Sequence, residues 1–198
     1  MLTLLKVAIT GNISSGKTLV CNIFKKLSVY VVIVDNIVCH LLSSHALVKE
    51  KVVNLLGKDI EEQGLICKDK VANKVFTNKQ LLRKLENIIH PHVEKILEVE
   101  YNKAKELGVP IFVVEIPLLY EKKLQQAYDK VVVVNADLDV RKQRFQAKGY
   151  NEAEFVRREQ HLIDLSEKVS LANYVIDNNV DISHVEEQVT KLYSTWIQ

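Results

Sequence analysis

The chain has 198 residues, 47% of them hydrophobic and 26% charged, the balance of a globular chain that forms one compact domain with room for an inserted subdomain. Its 27 Lys and Arg against 25 Asp and Glu leave a net charge of +2, too weak a bias for a general nucleic-acid binder. The longest apolar stretch, residues 29–38, is broken by Asp35 and too short to cross a bilayer, so no membrane partner is expected.

The first residues show no basic segment ahead of an apolar one, and no secretory signal is read there. Cys21, Cys39 and Cys67 are odd in number, widely spaced and without metal-type pattern, which suits free thiols in a reducing compartment. A cytosolic location is the expectation.

In chain order, apolar β-branched runs alternate with helix-period segments, the pattern of an α/β fold with a mainly parallel sheet. The first strand is expected at 4–10, with a helix at 18–27. The second strand is expected at 30–34. Some 75 residues then pass without a convincing strand, far more than one crossover needs, and are read as a mostly helical insertion over 36–107. Within it His90-Pro91 reads as a helix boundary, with the proline opening the next helix. Strands are expected at 111–116, 130–135 and 174–176, and a closing helix at 184–196. The runs 31–34 and 131–134 are apolar on both faces, as strands covered on both sides must be.

Gly11-Asn12-Ile13-Ser14-Ser15-Gly16-Lys17-Thr18 carries the strongest signal. It fits G-x-x-x-x-G-K-[ST] between a strand and a helix. Such a loop turns its N–H groups inward as a nest for phosphate oxygens, and the following helix adds the positive end of its dipole. Lys17 is expected on the β- and γ-phosphates, and Thr18 on Mg²⁺. Asn12 and Ser14 stand where glycine is common, and Asn tolerates a positive φ better than most residues.

The loop alone does not name a reaction, since kinases, switches and motors share it. Asp35, at the end of the second strand, suits a base for an attacking hydroxyl or an N-cap for a helix starting at Asn36. Glu115, near the end of the third strand, suits metal support or an edge ion pair. Arg141, Arg144 and Lys148 share a helical face, and Arg157 and Arg158 follow a break at Gly149-Tyr150. That segment reads either as a cationic lid or as a solvated face. The histidines show no metal-ligand spacing.

Several further pieces belong to one pattern. They are the loop, Asp35 after 31–34, Ile88-Ile89-His90-Pro91, Pro117-Leu118-Leu119-Tyr120-Glu121, Arg144, Gln160, Lys168 and Val175-Ile176-Asp177-Asn178-Asn179. In their order and spacing the chain resembles the dephospho-coenzyme A kinase family over nearly its whole length. The resemblance implies a phosphate-loop kinase with a five-stranded parallel sheet flanked by helices, a helical acceptor-binding insertion over 36–107 and a short lid over 144–160. It implies ATP-dependent phosphorylation of the ribose 3′-hydroxyl of dephospho-coenzyme A. Asp35, Lys17 and Arg144 would be catalytic. ATP would be bound by the loop from Gly11 to Thr18 with Lys148, Asp177 and Asn178. The acceptor would meet Asp35, His90, Pro91, Leu118, Leu119 and Glu121, and Mg²⁺ would meet Thr18 and Glu115. The chain departs from the family's usual residues at Ile33, Cys39, Glu115, Lys148 and Asn173.

Two rival readings compete. Another small-molecule kinase of this architecture is one, although residues 36–107 contain only Arg83 to grip a nucleoside monophosphate. A guanine-nucleotide switch is the other, although neither D-x-x-G nor N-K-x-D occurs in the expected places.

Overall fold

The computed structural model describes residues 4–76 and 78–197. In chain order the elements are β1 (Leu5–Thr10), α1 (Lys17–Lys26), β2 (Tyr30–Ile33), α2 (Val34–Ser44), α3 (Ala46–Leu56), β3 (Glu61–Glu62), β4 (Leu65–Ile66), α4 (Lys68–Phe76), α5 (Lys79–Glu106), β5 (Ile111–Glu115), β6 (Lys130–Asn135), α6 (Leu138–Gln146), α7 (Glu152–Glu159), α8 (Leu165–Leu171), β7 (Tyr174–Asp177) and α9 (Ile182–Trp196). All five expected strands form, with ends within a residue of those read from the sequence.

The large sheet has the order β2-β5-β1-β6-β7. Val7 of β1 pairs in parallel with Val113 of β5 and with Lys130 of β6, and Val133 of β6 pairs with Val175 of β7. The chain leaves β1 towards one edge and returns to the other side of it with β6. Ligands collect outside the carboxyl ends of strands at such a switch point, and the loop after β1 lies there.

Strand residues of alternate parity face opposite ways, which builds the core. Val7, Ile9, Ile111, Val113, Val132, Val134 and Ile176 meet Val20, Cys21, Ile23 and Phe24 of α1 and Val185 and Val189 of α9. Trp196 closes this layer, stacked on Phe24 at 5.8 Å and edge-on to Tyr174 at 5.6 Å. The other face carries Ala8, Phe112, Val114, Val131 and Val133, all buried.

The chain divides into two compact units, residues 1–32 with 103–198, and Ile33–Asn102. The second unit buries Ile37, Leu41 and Leu42 of α2, Val48, Val52 and Leu56 of α3, and Leu85, Ile89 and Val93 of α5. Two features there differ from the sequence reading. The two-residue strands β3 and β4 pair antiparallel. Gln63 (φ 49°) and Gly64 (φ 78°) make the tight turn between them, and strands so short leave no alternation to read. His90-Pro91 is not a boundary either, because α5 runs through it. Proline removes one N–H from the helix. Leu85, Ile89 and Val93 still fall at spacings of four, so one buried stripe continues across the proline and holds the helix.

Candidate active site

The loop after β1 is shaped by its own backbone and by the side chains packed on it. Gly16 caps α1 in a left-handed conformation (φ 102°), and no acidic residue occupies the first turn of α1. The unpaired N–H groups and positive dipole end of α1 are therefore open to an anion. A Cβ at Gly16 would stand 1.9 Å from Asn178 Nδ2, so only glycine fits. The ammonium of Lys17 donates to the carbonyls of Gly11 (3.0 Å) and Asn12 (3.2 Å). Of these two, Ser14 takes the positive φ (57°) and Asn12 does not. The Asn12 side chain is buried and committed outside the loop, donating to Glu159 Oε1 at 2.8 Å and Ile163 O at 3.2 Å. Ile13, Ser15 and Thr18 complete the loop, with Ser15 buried and Thr18 exposed.

The end of β7 packs onto this loop. Asn178 is buried and donates from Nδ2 to the Ser15 carbonyl at 2.7 Å. Its own carbonyl accepts from Arg144 Nη2 at 2.9 Å. Arg144 thus stands beside the loop, and its buried Nη1 has no hydrogen-bond partner among the described residues. Asp177 is clamped through its backbone by Gln188, whose side chain accepts from Asp177 N at 2.9 Å and donates to Asp177 O at 2.8 Å.

The basic segment is not one cationic face. Arg141 is buried, and its Nη1 meets Glu159 Oε1 at 2.6 Å. Arg144 turns to Asn178. Lys148 lies beyond the end of α6 and is exposed, because the chain leaves the helix at Ala147 and turns at Gly149 (φ 87°). Arg157 and Arg158 both pair with Glu154, Arg158 at 2.7 Å. Arg158 also lies over Tyr150 at 5.1 Å.

At the end of β5 Glu115 lies in the interior, within hydrogen-bonding reach of the Cys21 thiol. Burial, and then the negative charge of Glu115, push that thiol far above its ordinary range. Leu118 is exposed, whereas Leu119 is buried and supports the segment from below. Glu121 Oε1 sits 2.7 Å from Nζ of the fully buried Lys168 and accepts from Ile163 N at 3.0 Å. Burial alone raises the Tyr120 hydroxyl above its usual pKa.

Asp35, His90 and Pro91 belong to the other unit. Asp35 is exposed and occupies the first turn of α2, which begins directly after β2 ends. The N-cap of α2 is Ile33, so the N-cap alternative for Asp35 does not hold. As a first-turn acid it still complements the helix dipole. His90 and Pro91 are both exposed.

The oxygen donors suit a hard cation. Thr18 presents its hydroxyl on α1, and Cys21, one turn further, meets the Glu115 carboxylate. No group of three or more His, Cys, Asp or Glu side chains that could hold a metal occurs among the described residues. That set fits Mg²⁺, which keeps waters and binds through one or two protein oxygens plus phosphates.

A family model for dephospho-CoA kinase matches residues 5–184. The chain belongs to the dephospho-CoA kinase family. Like its family it is a phosphotransferase. A dephospho-CoA kinase of Protochlamydia amoebophila is 42% identical over 196 residues, covering 98% of this chain and 97% of its own. A crystal structure of a protein from Thermus thermophilus matches with a TM-score of 0.83 at 25% identity, covering 97% of each chain. A dephospho-CoA kinase structure from Campylobacter jejuni shares the fold, with a TM-score of 0.68 at 23% identity over 95% of this chain and 94% of that one.

Sequence reading missed Glu159 and Gln188. Glu159 meets Asn12 across 147 residues, a separation at which no local pattern points to the partner. Gln188 lies on the expected closing helix, and no local pattern ties its amide to the Asp177 backbone eleven residues earlier.

Proposed function

We propose that the chain transfers the γ-phosphoryl group of ATP to the ribose 3′-hydroxyl of dephospho-coenzyme A, giving coenzyme A and ADP, the last step of coenzyme A biosynthesis. One observation carries the reading. In a chain of this family, the loop from Gly11 to Thr18 is held in anion-binding form at the N-terminus of α1, with Arg144 anchored beside it on Asn178.

On this reading the triphosphate lies in the nest of loop N–H groups. Lys17 exchanges the loop carbonyls for phosphate oxygens, and the unused Nη1 of Arg144 meets the charge that develops on the transferring group. Asp35 accepts the proton of the attacking hydroxyl. Its exposed place in the first turn of α2 supports this role. Thr18 and Glu115 would hold Mg²⁺, directly and through water. When bound, the ion neutralises phosphate charge. Asp177 and Asn178 border the nucleotide, and exposed Lys148 is free to approach it from the 144–160 segment, the proposed lid. The acceptor contacts that the family resemblance implies are His90 and Pro91 of the 36–107 insertion and Leu118, Leu119 and Glu121 after β5.

Acceptor-dependent ADP release tests this directly. Purified protein with Mg-ATP should release ADP with dephospho-coenzyme A and form a product phosphorylated at the 3′-hydroxyl. Silence with that acceptor, alongside turnover of a nucleoside or sugar, would replace it with another kinase of the same architecture. Strict guanine selectivity without any acceptor would point to a switch.

A further inference from the structure

Glu159 is an odd neighbour for a phosphate loop. It is an acid at the end of α7, yet its Oε1 accepts from Asn12 Nδ2 at 2.8 Å and from Arg141 Nη1 at 2.6 Å. The Glu159 and Arg141 side chains are only 22% and 5% exposed. Arg141 is itself fixed, with Nε donating to Ala136 O at 3.1 Å just past β6. The Asn12 amide also donates to Ile163 O at 3.2 Å.

Asn12 faces two ways. Its main-chain oxygen accepts from Ser15 N at 3.2 Å and from Lys17 Nζ at 3.2 Å, which shapes the turn and holds the ammonium. Its side chain is gripped from outside the loop. A glycine at this position would serve the first purpose and not the second. A bare carboxylate here would repel a triphosphate, since poorly screened charges interact strongly. Arg141 cancels that charge and leaves Glu159 as a fixed hydrogen-bond acceptor.

We propose that Glu159 is a positioning residue for ATP. Charge-balanced by Arg141, it holds the Asn12 amide and so keeps the loop backbone in its phosphate-binding shape before the nucleotide arrives. The inference rests on the ATP-dependent kinase reading. Preorganisation of this kind acts on affinity for the nucleotide and leaves the chemical step alone. It also makes Asn12 and Glu159 act as a unit.

The test is calorimetric titration with ATP, beside steady-state kinetics and thermal unfolding, on the wild type, Glu159→Ala, Glu159→Gln, Asn12→Ala and the double variant Asn12→Ala/Glu159→Ala. Glu159→Ala should raise Kd and KM for ATP about tenfold, the scale of one charge-assisted hydrogen bond, with kcat within about threefold. Glu159→Gln keeps an acceptor for Asn12 and should recover most of the affinity. Asn12→Ala should lose as much as Glu159→Ala, and the double variant no more than either. Unchanged ATP affinity in the folded Glu159→Ala protein, with only its melting temperature lowered, would overturn the proposal. So would additive losses in the double variant, or an equal loss with Gln and Ala. Should Glu159→Ala fail to fold, Asn12→Gly carries the test, because it keeps the turn and removes only the grip; it must show the same rise in Kd. The expected pattern in ATP binding without transfer to dephospho-coenzyme A would support the positioning role and refute the acceptor assignment. A wild type that binds no ATP would refute both.

Discussion

The side-chain amide of Asn178 hydrogen-bonds the carbonyl of Ser15 at 2.7 Å, tying the end of β7 to the phosphate loop across 163 residues of sequence. Arg144 then binds the Asn178 carbonyl, so the loop, the last strand and the basic helix α6 meet at one asparagine.

Gly16 is the position this contact constrains most. Gly16→Ala would place a methyl 1.9 Å from Asn178 Nδ2, on a backbone at φ 102°. The backbone strain alone is worth about 1–3 kcal/mol. The variant should melt earlier and bind ATP at least about tenfold more weakly, the equivalent of 1.4 kcal/mol. Calorimetric titration and thermal unfolding measure both.

Lys17→Ala removes the ammonium that now rests on the Gly11 and Asn12 carbonyls. The expected loss is in kcat/KM, by about 10²–10³-fold, the scale of one preorganised donor to the transferring group. Stability should change little. Intact turnover would contradict the loop assignment.

Asp35→Asn should leave ATP binding intact and cut transfer to dephospho-coenzyme A by roughly 10²–10⁴-fold, as loss of a general base does. Wild-type kcat in this variant would remove Asp35 from the chemistry.

Lys168→Ala would strip the partner from Glu121, whose side chain is 11% exposed. Breaking one side of a buried ion pair costs about 3–5 kcal/mol. A large fall in melting temperature is expected, and Lys168→Ala with Glu121→Gln should be less unstable than Lys168→Ala alone. Additive destabilisation in the double variant would deny the pairing.

Cys21 should resist alkylation. Burial beside Glu115 holds its thiol protonated well above the ordinary range, and the thiolate is the nucleophile. Native protein should react quickly at the partly exposed Cys39 and Cys67 and slowly at Cys21, with all three reacting after denaturation. The sign of the linkage follows. The unfolded thiol loses its proton near pH ~8.5 and the folded one does not, so stability from this group is full below that pH. It then falls by about 1.4 kcal/mol per pH unit as the pH rises further. Cys21→Ala should flatten that alkaline slope in urea unfolding curves.

The phosphate loop and the five strands of the large sheet were legible in the sequence because both are local signals, whereas the strand order came only with the structure. Gly11 to Thr18 is a contiguous string, and runs such as 131–134 announce a strand buried on both faces without reference to anything distant. The basic segment was harder. Spacing put Arg141, Arg144 and Lys148 on one face, but spacing carries no information on partners. Glu159 and Asn178 took two of the three cations, and the end of α6 separated the third.

The sequence by itself determined the glycine-flanked loop between β1 and α1 and which residues make the five strands of the large sheet, since turn chemistry and hydrophobic period act between near neighbours. Only the tertiary structure decided that α5 continues through Pro91, that positive φ falls on Ser14, and that Asn12 is held by Glu159 and Ile163. Each of these is settled by burial and by the need of buried polar groups for partners, and those partners are chosen by folding from positions far along the chain.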